Sequence, residues 1–332
     1  RRRIATWYAE RHGSVVDPER IVVTTGSSSG FLLAFGANWS AGDAVGVPST
    51  AYPCYRNVLR ALDCEPVEIR SSSPGCWFPT PDDLRDEQRR RESSRSSPLK
   101  GLVLSSPANP TGATLDAASL KALAETCLEL GIRFVSDEIY HHITYDQSPS
   151  ASAVDLEGAV VVNSFSKFFS MTGWRVGWLC LPKNEPLLLD AVTRLHQNLA
   201  ICAPAISQVA AEKSFDDADT ELAGHVRRYA ANRHILLRGL ETKLGIDLKA
   251  HVAPADGAFY VYADLKPYGV TDSPAFCHRL LQDTGIAVTP GSDFEFDPIR
   301  GNTRVRFSYC GMDEPDLNAA VDLLTDWWHT SR

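Results

Sequence analysis

The chain has 332 residues, 44% of them hydrophobic, and a formal net charge of −8 with acids and bases interleaved. That length can bury a sizeable core and predicts one large domain with a smaller one. The charge balance argues against nucleic acid or an anionic membrane as partner, and apolar runs such as "FLLAF" fall far short of the ~20 residues that a membrane-spanning helix needs. No signal peptide is visible. The eight cysteines are scattered without a CxxC pair, which predicts free thiols in a reducing compartment and so a cytoplasmic protein. No metal is expected either: His141-His142 is the only adjacent histidine pair, and chain neighbours rarely chelate one ion.

The chain opens on "RRRIATWYAERHG", an amphipathic helical pattern with no Met and no helix-start signal before it. A further segment upstream is therefore expected. Short apolar runs then alternate with helical patterns. "RIVVTT" reads as a strand before a helix through "GFLLAFGANW", and "DAVGVP" as a strand before a helix through "YPCYRNVLRAL". "GLVLSS" precedes the helix "DAASLKALAETCLEL", and "IRFVSD", "AVVVNS" and "VGWLCLP" are further strands. These runs are nearly continuous in Val, Ile and Leu, as strands buried on both faces require. The pattern predicts an α/β fold of three layers, α/β/α, around a mainly parallel sheet. Residues 71–98 interrupt it with the polar, Ser-rich "RRRESSRSSP", expected to be a solvated helix end and loop. After a long helical pattern over 220–244, strands at "GAFYVYADL" and "TRVRFSY" mix with helices at "SPAFCHRLLQDTG" and "DEPDLNAAVDLLTDWW". This predicts a large domain over 1–223 and a smaller C-terminal α+β domain over 224–332.

Candidate chemistry falls at the predicted strand ends. In "TTGSSSGF" a glycine turn leads Ser27, Ser28 and Ser29 into a helix start, which suits an anion or simply a serine cap. "SSPANPTG" places Asn109 in a turn beyond a strand's carboxyl end, where it offers an amide to a ligand or merely holds the turn. Asp137 ends "IRFVSD"; a carboxylate there needs a cation or donors, or else caps a helix. Tyr140 can share its site if a helical turn begins there. Lys167 follows a buried strand among aromatics, whereas the other lysines lie in polar helices, at element ends or in turns. Burial lowers a lysine's pKa and suits Schiff-base chemistry, though a snorkelling surface lysine is the plain alternative. Arg175, eight residues on, can pair with a phosphate near Ser164 and Ser166. Taken together, an anion cradle, an amide, a buried carboxylate, a phenol and an isolated lysine suit pyridoxal phosphate.

The motifs "TTGSSSG", "PSTAYPCY", "NPTG", "SDEIY", "SFSKFFSMTGWRVGW", "GAFYVYADL" and "RVRFS" follow one another over nearly the whole chain. In this the sequence resembles the class I/II aminotransferases of the fold-type I pyridoxal-phosphate enzymes, nearest the bacterial-type aspartate and aromatic branch. The resemblance implies that Lys167 anchors the cofactor's aldehyde as a Schiff base and then serves as the base. It implies that Asp137 pairs with the pyridine nitrogen, that Asn109 and Tyr140 hydrogen-bond the ring hydroxyl, and that Tyr52 stacks on the ring. Ser27, Ser28, Ser164 and Arg175, with Ser166 beside them, would hold the phosphate. Arg306, rather than its neighbour Arg304, would clamp the substrate α-carboxylate, with Asn109 and Tyr52 at the substrate too. The implied activity is a ping-pong transamination between an L-amino acid and a 2-oxo acid in a cytoplasmic homodimer. The family also carries a segment upstream of "RRRIATWYAERHG" that covers the substrate. Carbon–sulfur lyases use the same cradle and lysine, as does, without catalysis, the sensor domain of some transcription regulators.

Overall fold

The structure, a computed structural model, describes residues 1–72, 75–148 and 150–330. Residues 73 and 74 of the 71–98 interruption, and the last two of the predicted C-terminal unit, lie outside these. Helix α1 (Arg2–His12) closes at Gly13, whose left-handed backbone (φ 66°) turns its N–H back to the carbonyls of Ala9 and Tyr8. Its apolar face, Ile4, Trp7 and Tyr8, is buried, and the Tyr8 hydroxyl accepts a 3.1 Å hydrogen bond from the indole of Trp178.

The alternation predicted from the sequence follows. It comprises β1 (Ile21–Thr24), α2 (Gly26–Asn38), β2 (Ala44–Pro48), α3 (Pro53–Ala61), β3 (Glu65–Ile69), α4 (Pro81–Ser93), β4 (Leu99–Ser105), α5 (Ala117–Glu129), β5 (Arg133–Asp137), β6 (Ala159–Ser164) and β7 (Gly177–Cys180). Helix starts are set by local chemistry. Thr80 and Asp83 form a reciprocal capping box with Pro81 in the first turn of α4, and Asp116 accepts from the Ser119 N–H at the head of α5. Among the described residues these strands form one sheet in the order β1-β7-β6-β5-β4-β2-β3. All neighbours run parallel except at β7, which is antiparallel to both β1 and β6. Every residue of β2 and β6 is buried, as their apolar runs require, and the polar Asn163 and Ser164 at the end of β6 are buried with them.

Apolar clusters cover both faces of this sheet. Phe31, Phe35, Tyr55 and Leu59 of α2 and α3 pack with Val47, Val103, Val135 and Val160 on one side. Leu102, Phe134, Val161 and Trp178 face the other, in a cluster that runs on into the second sheet at Val261, Val305 and Phe307. This is the expected three-layer α/β/α arrangement. The chain continues through α6 (Pro186–Leu199), α7 (Ala205–Ser214), α8 (Ala223–Thr242), α9 (Leu248–His251), β8 (Tyr260–Asp264), α10 (Ser273–Thr284), β9 (Thr289–Pro290), α11 (Pro298–Gly301), β10 (Arg304–Ser308) and α12 (Glu314–Thr330). Its second sheet is antiparallel, in the order β8-β10-β9.

Three details differ from the sequence reading. Strand β3, "EPVEI", is not foreseen, because its charged residues hide the buried Val67 and Ile69. The 71–98 interruption contains a full helix, α4, and its Arg91 is buried against Glu65 rather than solvated. The predicted 220–244 helix begins as a π-helical turn over 218–222 before regular α8. No helix among the described residues is long and apolar enough to cross a membrane.

Candidate active site

Strand register brings the chemistry to one edge. Thr24 pairs with Gly177, which also pairs with Ser164, while Asp137 pairs with Ser105 at the end of β4 and with Val162 of β6. The carboxyl ends of β1, β6, β5 and β4 therefore open side by side, with the amino end of antiparallel β7 among them. That edge is where open α/β sheets bind ligands. A cavity of about 320 Å³ lies there, lined among others by Ser27, Ser28, Tyr52, Asn109, Asp137, Tyr140, Ser166, Lys167, Arg175 and Arg306. All the residues predicted for the site meet on its wall except Ser164. That side chain is buried behind the wall, where its Oγ accepts from the Ser166 N–H.

One end of the cavity is built for an anion. Helix α2 starts at Gly26, directly after β1, so its free N–H groups and positive dipole end face the opening. Gly26 has φ 77°, and a Cβ built there would overlap the Arg175 guanidinium, so only glycine fits both the turn and the arginine. Arg175 itself is held at φ 54° and ψ 54°, a strained setting for a non-glycine residue of the kind that clusters at functional sites. Its Nη1 donates to the Thr172 carbonyl at 2.8 Å. Gly177 lets β7 pass this turn, since a Cβ there would lie 2.9 Å from the Ser27 nitrogen.

The opposite end carries a buried carboxylate that could pair with a cationic ring nitrogen. Asp137 is 2% exposed. Burial raises its carboxyl to about 6, against the Tyr55 hydroxyl, the Ile139 N–H and the Lys167 charge, which lower it. A protonated nitrogen set against it would favour the carboxylate further. Tyr55 donates to Asp137 Oδ2 at 2.5 Å and lines the cavity, a site residue the sequence reading missed. The available signal was helical spacing: Tyr55 lies one turn beyond Tyr52 on α3, so the two present neighbouring faces. Glu138, the next residue, is fully buried and raised to about 8 by that burial. It accepts from Ser152 and the Ala153 N–H and so anchors a loop rather than the cavity.

Lys167 sits between these ends. Burial lowers its amine below the ordinary 10.5, as do Arg306 and Arg175, against Cys310 and Asp137, which raise it. Its Nζ lies 6.0 Å from the Tyr140 ring centre and 5.8 Å from that of Phe259, with no ion pair among the described residues. Arg306 enters from β10. Its Nη1 donates to Asn109 Oδ1 at 2.8 Å and its Nη2 to Thr289 Oγ1 at 3.1 Å. Arg304, two residues away on the same strand face, is occupied instead by the buried Glu295 at 2.8 Å. The Tyr140 hydroxyl meets that of Tyr260 at 2.7 Å.

Volume alone would not pick this site, because a cleft of about 730 Å³ lies at the β1 edge against α6 and α7. That cleft lacks a lysine set against a buried carboxylate. His141 and His142 each lie 5.4 Å from the His12 ring. Among the described residues no group of three or more His, Cys, Asp or Glu is arranged to hold a metal ion. The small cavity fits pyridoxal phosphate end to end: helix start and Arg175 for phosphate, Tyr52 for the ring face, Asp137 for the ring nitrogen, Lys167 for the aldehyde.

Sheet, cradle and lysine fit the class of pyridoxal-phosphate enzymes. The profile of the family "Aminotransferase class I and II" matches residues 1–324, and the chain belongs to that family. It is 45% identical to the valine–pyruvate aminotransferase of Mycobacterium tuberculosis, over 98% of this chain and 79% of that one. The crystal structure of an aminotransferase from the same organism superposes with a TM-score of 0.90 at 45% identity, covering 99% of this chain and 81% of that one. A tetra mutant of Thermus thermophilus aspartate aminotransferase gives 0.84 at 31% identity, covering 98% and 84%. The protein is therefore a transaminase that moves an amino group between an amino acid and a 2-oxo acid, with pyridoxal phosphate as cofactor.

Proposed function

We propose that this transaminase exchanges the amino group of a small aliphatic L-amino acid, valine the leading candidate, with pyruvate, in two half-reactions through one site. The observation that carries this is the charge inventory of the cavity wall. Among the described residues that line it, the charged side chains are Asp137, Lys167, Arg175 and Arg306. With Arg175 at the anion cradle, one guanidinium remains for a substrate. A monocarboxylate needs one clamp, whereas a dicarboxylic acid calls for a second partner. The Arg306 guanidinium is flanked by two aromatic rings, Tyr260 of the cavity wall and Phe294. The name of the Mycobacterium relative, valine–pyruvate aminotransferase, points the same way.

In this reading the bound cofactor supplies an electron sink for the bond broken at the substrate's α-carbon. Ser27, Ser28, Ser166 and Arg175 hold its phosphate, with Ser164 behind them bracing the Ser166 backbone, while Tyr52 fixes its ring face. Asp137 holds the proton on the ring nitrogen, and Asn109 and Tyr140 donate to the ring oxygen. Arg306 binds the substrate carboxylate through the guanidinium edge it shares with Asn109, which orients the α-carbon toward Lys167. The Lys167 amine, kept less basic by burial, takes the α-proton and returns it on the other side of the exchange. Residues 1–223 supply the cradle and 224–332 the carboxylate clamp. The enzyme acts as a homodimer in the cytoplasm, and Leu199, Ile201, Ile206 and Val209, 58–77% exposed on and beside α6 and α7, are the face offered to the second copy.

The test is a panel of amino donors with pyruvate and 2-oxoglutarate. Valine or alanine is expected to exceed aspartate at least tenfold in kcat/KM, a difference of about 1.4 kcal/mol in transition-state binding. Equal or better turnover of aspartate would overturn the substrate assignment. Lys167→Ala is expected to lose both turnover and covalently held cofactor; cofactor still bound covalently after borohydride reduction would remove Lys167 from its role.

A further inference from the structure

Tyr260 enters the reading above only as an aromatic neighbour of Arg306, yet it touches two of its parts. It is 5% exposed and opens β8, where it pairs with Ser308 and so lies diagonally from Arg306 on the antiparallel partner strand. The Arg306 guanidinium carbon stands 4.3 Å above its ring centre, within the range of a cation–π contact. Its hydroxyl is 2.7 Å from that of Tyr140.

We propose that Tyr260 is a positioning residue that joins the carboxylate clamp to the ring-oxygen donor: its ring seats Arg306 and its hydroxyl donates to Tyr140. The direction of that bond follows from chemistry. Two phenols share one hydrogen bond, and either can donate. A guanidinium over one ring draws electron density from it and makes its O–H the stronger acid, hence the donor. Arg306 lies over Tyr260, the ring nearest its guanidinium. Tyr140 then keeps its own proton free for a cofactor oxygen and is polarised by the bond it accepts, which strengthens its donation. A carboxylate arriving at Arg306 offsets the guanidinium charge and weakens the Tyr260 donor. Substrate binding is thereby reported to the cofactor through two tyrosines.

This rests on the site roles proposed above, and the experiment separates the two. The loaded enzyme is titrated with pH while its visible absorption band is followed, and isovalerate serves as an unreactive monocarboxylate probe. Tyr260→Phe keeps the buried ring and removes only the hydroxyl, so the fold is retained. It is expected to raise the band's pH midpoint by about 0.3 to 1 unit, the equivalent of one hydrogen bond to the ring-oxygen donor. Isovalerate affinity should stay within about twofold of wild type, because the cation–π contact survives. In a Tyr140→Phe background the same change should not move the midpoint further. Tyr260→Leu should weaken isovalerate about two- to thirtyfold by removing the ring beneath Arg306. An unmoved midpoint in Tyr260→Phe, or additive shifts in the double variant, overturns the relay while leaving transamination intact. A wild-type enzyme with no Lys167-dependent band overturns the site roles and the relay with them.

Discussion

Asp137 is the residue on whose charge state the proposed mechanism turns, and burial and Tyr55 act on that charge state in opposite directions. The phenol donates to Asp137 Oδ2 and works against the burial that otherwise lifts the carboxyl to about 6. Phenylalanine at 55 would leave the carboxylate short of one donor, so its pKa rises. The ionised form, which the proposed mechanism needs for the ring-nitrogen proton, is then lost at a higher pH. Tyr55→Phe is therefore expected to move the acidic limb of the kcat/KM profile upward. At neutral pH kcat should fall about ten- to a hundredfold, from the ~1.5–3 kcal/mol of a hydrogen bond to a charged group. An acidic limb that stays where it was in wild type would show that the bond is structural only. Lys167 was readable from sequence because a charge among "SFSKFF" violates the local pattern. Tyr55 violates nothing: a tyrosine in an amphipathic helix is ordinary, and its partner lies 82 positions away.

At the scale of elements, the decisive contact is a buried carboxylate between the two sheets. Glu295 accepts from Thr50 beyond β2 at 2.8 Å and from Tyr262 of β8 at 2.9 Å. It also accepts from Arg304 of β10 at 2.8 Å and from Arg300 of α11 at 2.6 Å. Arg300 reaches on to Glu68 of β3 at 2.9 Å. Glu295 thus ties β10, and Arg306 on it, to the edge of the first sheet. Glu295→Ala would leave two arginines without their buried partner, a loss of about 3–5 kcal/mol by the usual cost of breaking such pairs. The expected outcome is a lowered urea midpoint and a raised KM with kcat less affected; a midpoint equal to wild type would contradict the latch. None of this was legible in advance. Thr50, Glu68 and Glu295 are far apart in the chain, and "SDFEFDPIR" carries no periodicity that tells a buried acid from a surface one. The buried strands, by contrast, announced themselves, because a run such as "AVVVNS" has no polar face to give to solvent.

For the molecule as a whole, the sequence order of strands does not reveal their direction. "VGWLCLP" reads as one more buried strand, and buried parallel and antiparallel strands look alike in composition. The proposed homodimer belongs to this scale too. Apolar side chains as exposed as Ile201 at 77% and Ile206 at 75% are costly to leave in water when they adjoin one another. Sedimentation of the purified protein is expected to give twice the 36.4 kDa chain mass, and Ile206→Glu with Val209→Glu should shift it toward that of one chain. A wild-type protein that sediments as a single chain at micromolar concentration would remove the dimer.

The reversed course of β7 has one more consequence, in the sequence distance between cooperating groups. Had the chain crossed over to run parallel, Arg175 would start its strand at the far edge of the sheet from Ser164. Because β7 turns straight back, residues 165–176 form a single closed loop at one edge, with Gly177 opposite Ser164. The lysine and the arginine are therefore held by a short segment whose ends cost little entropy to bring together. A group bound at both ends by that loop is gripped by contiguous chain, and its geometry depends less on how the distant parts of the molecule shift.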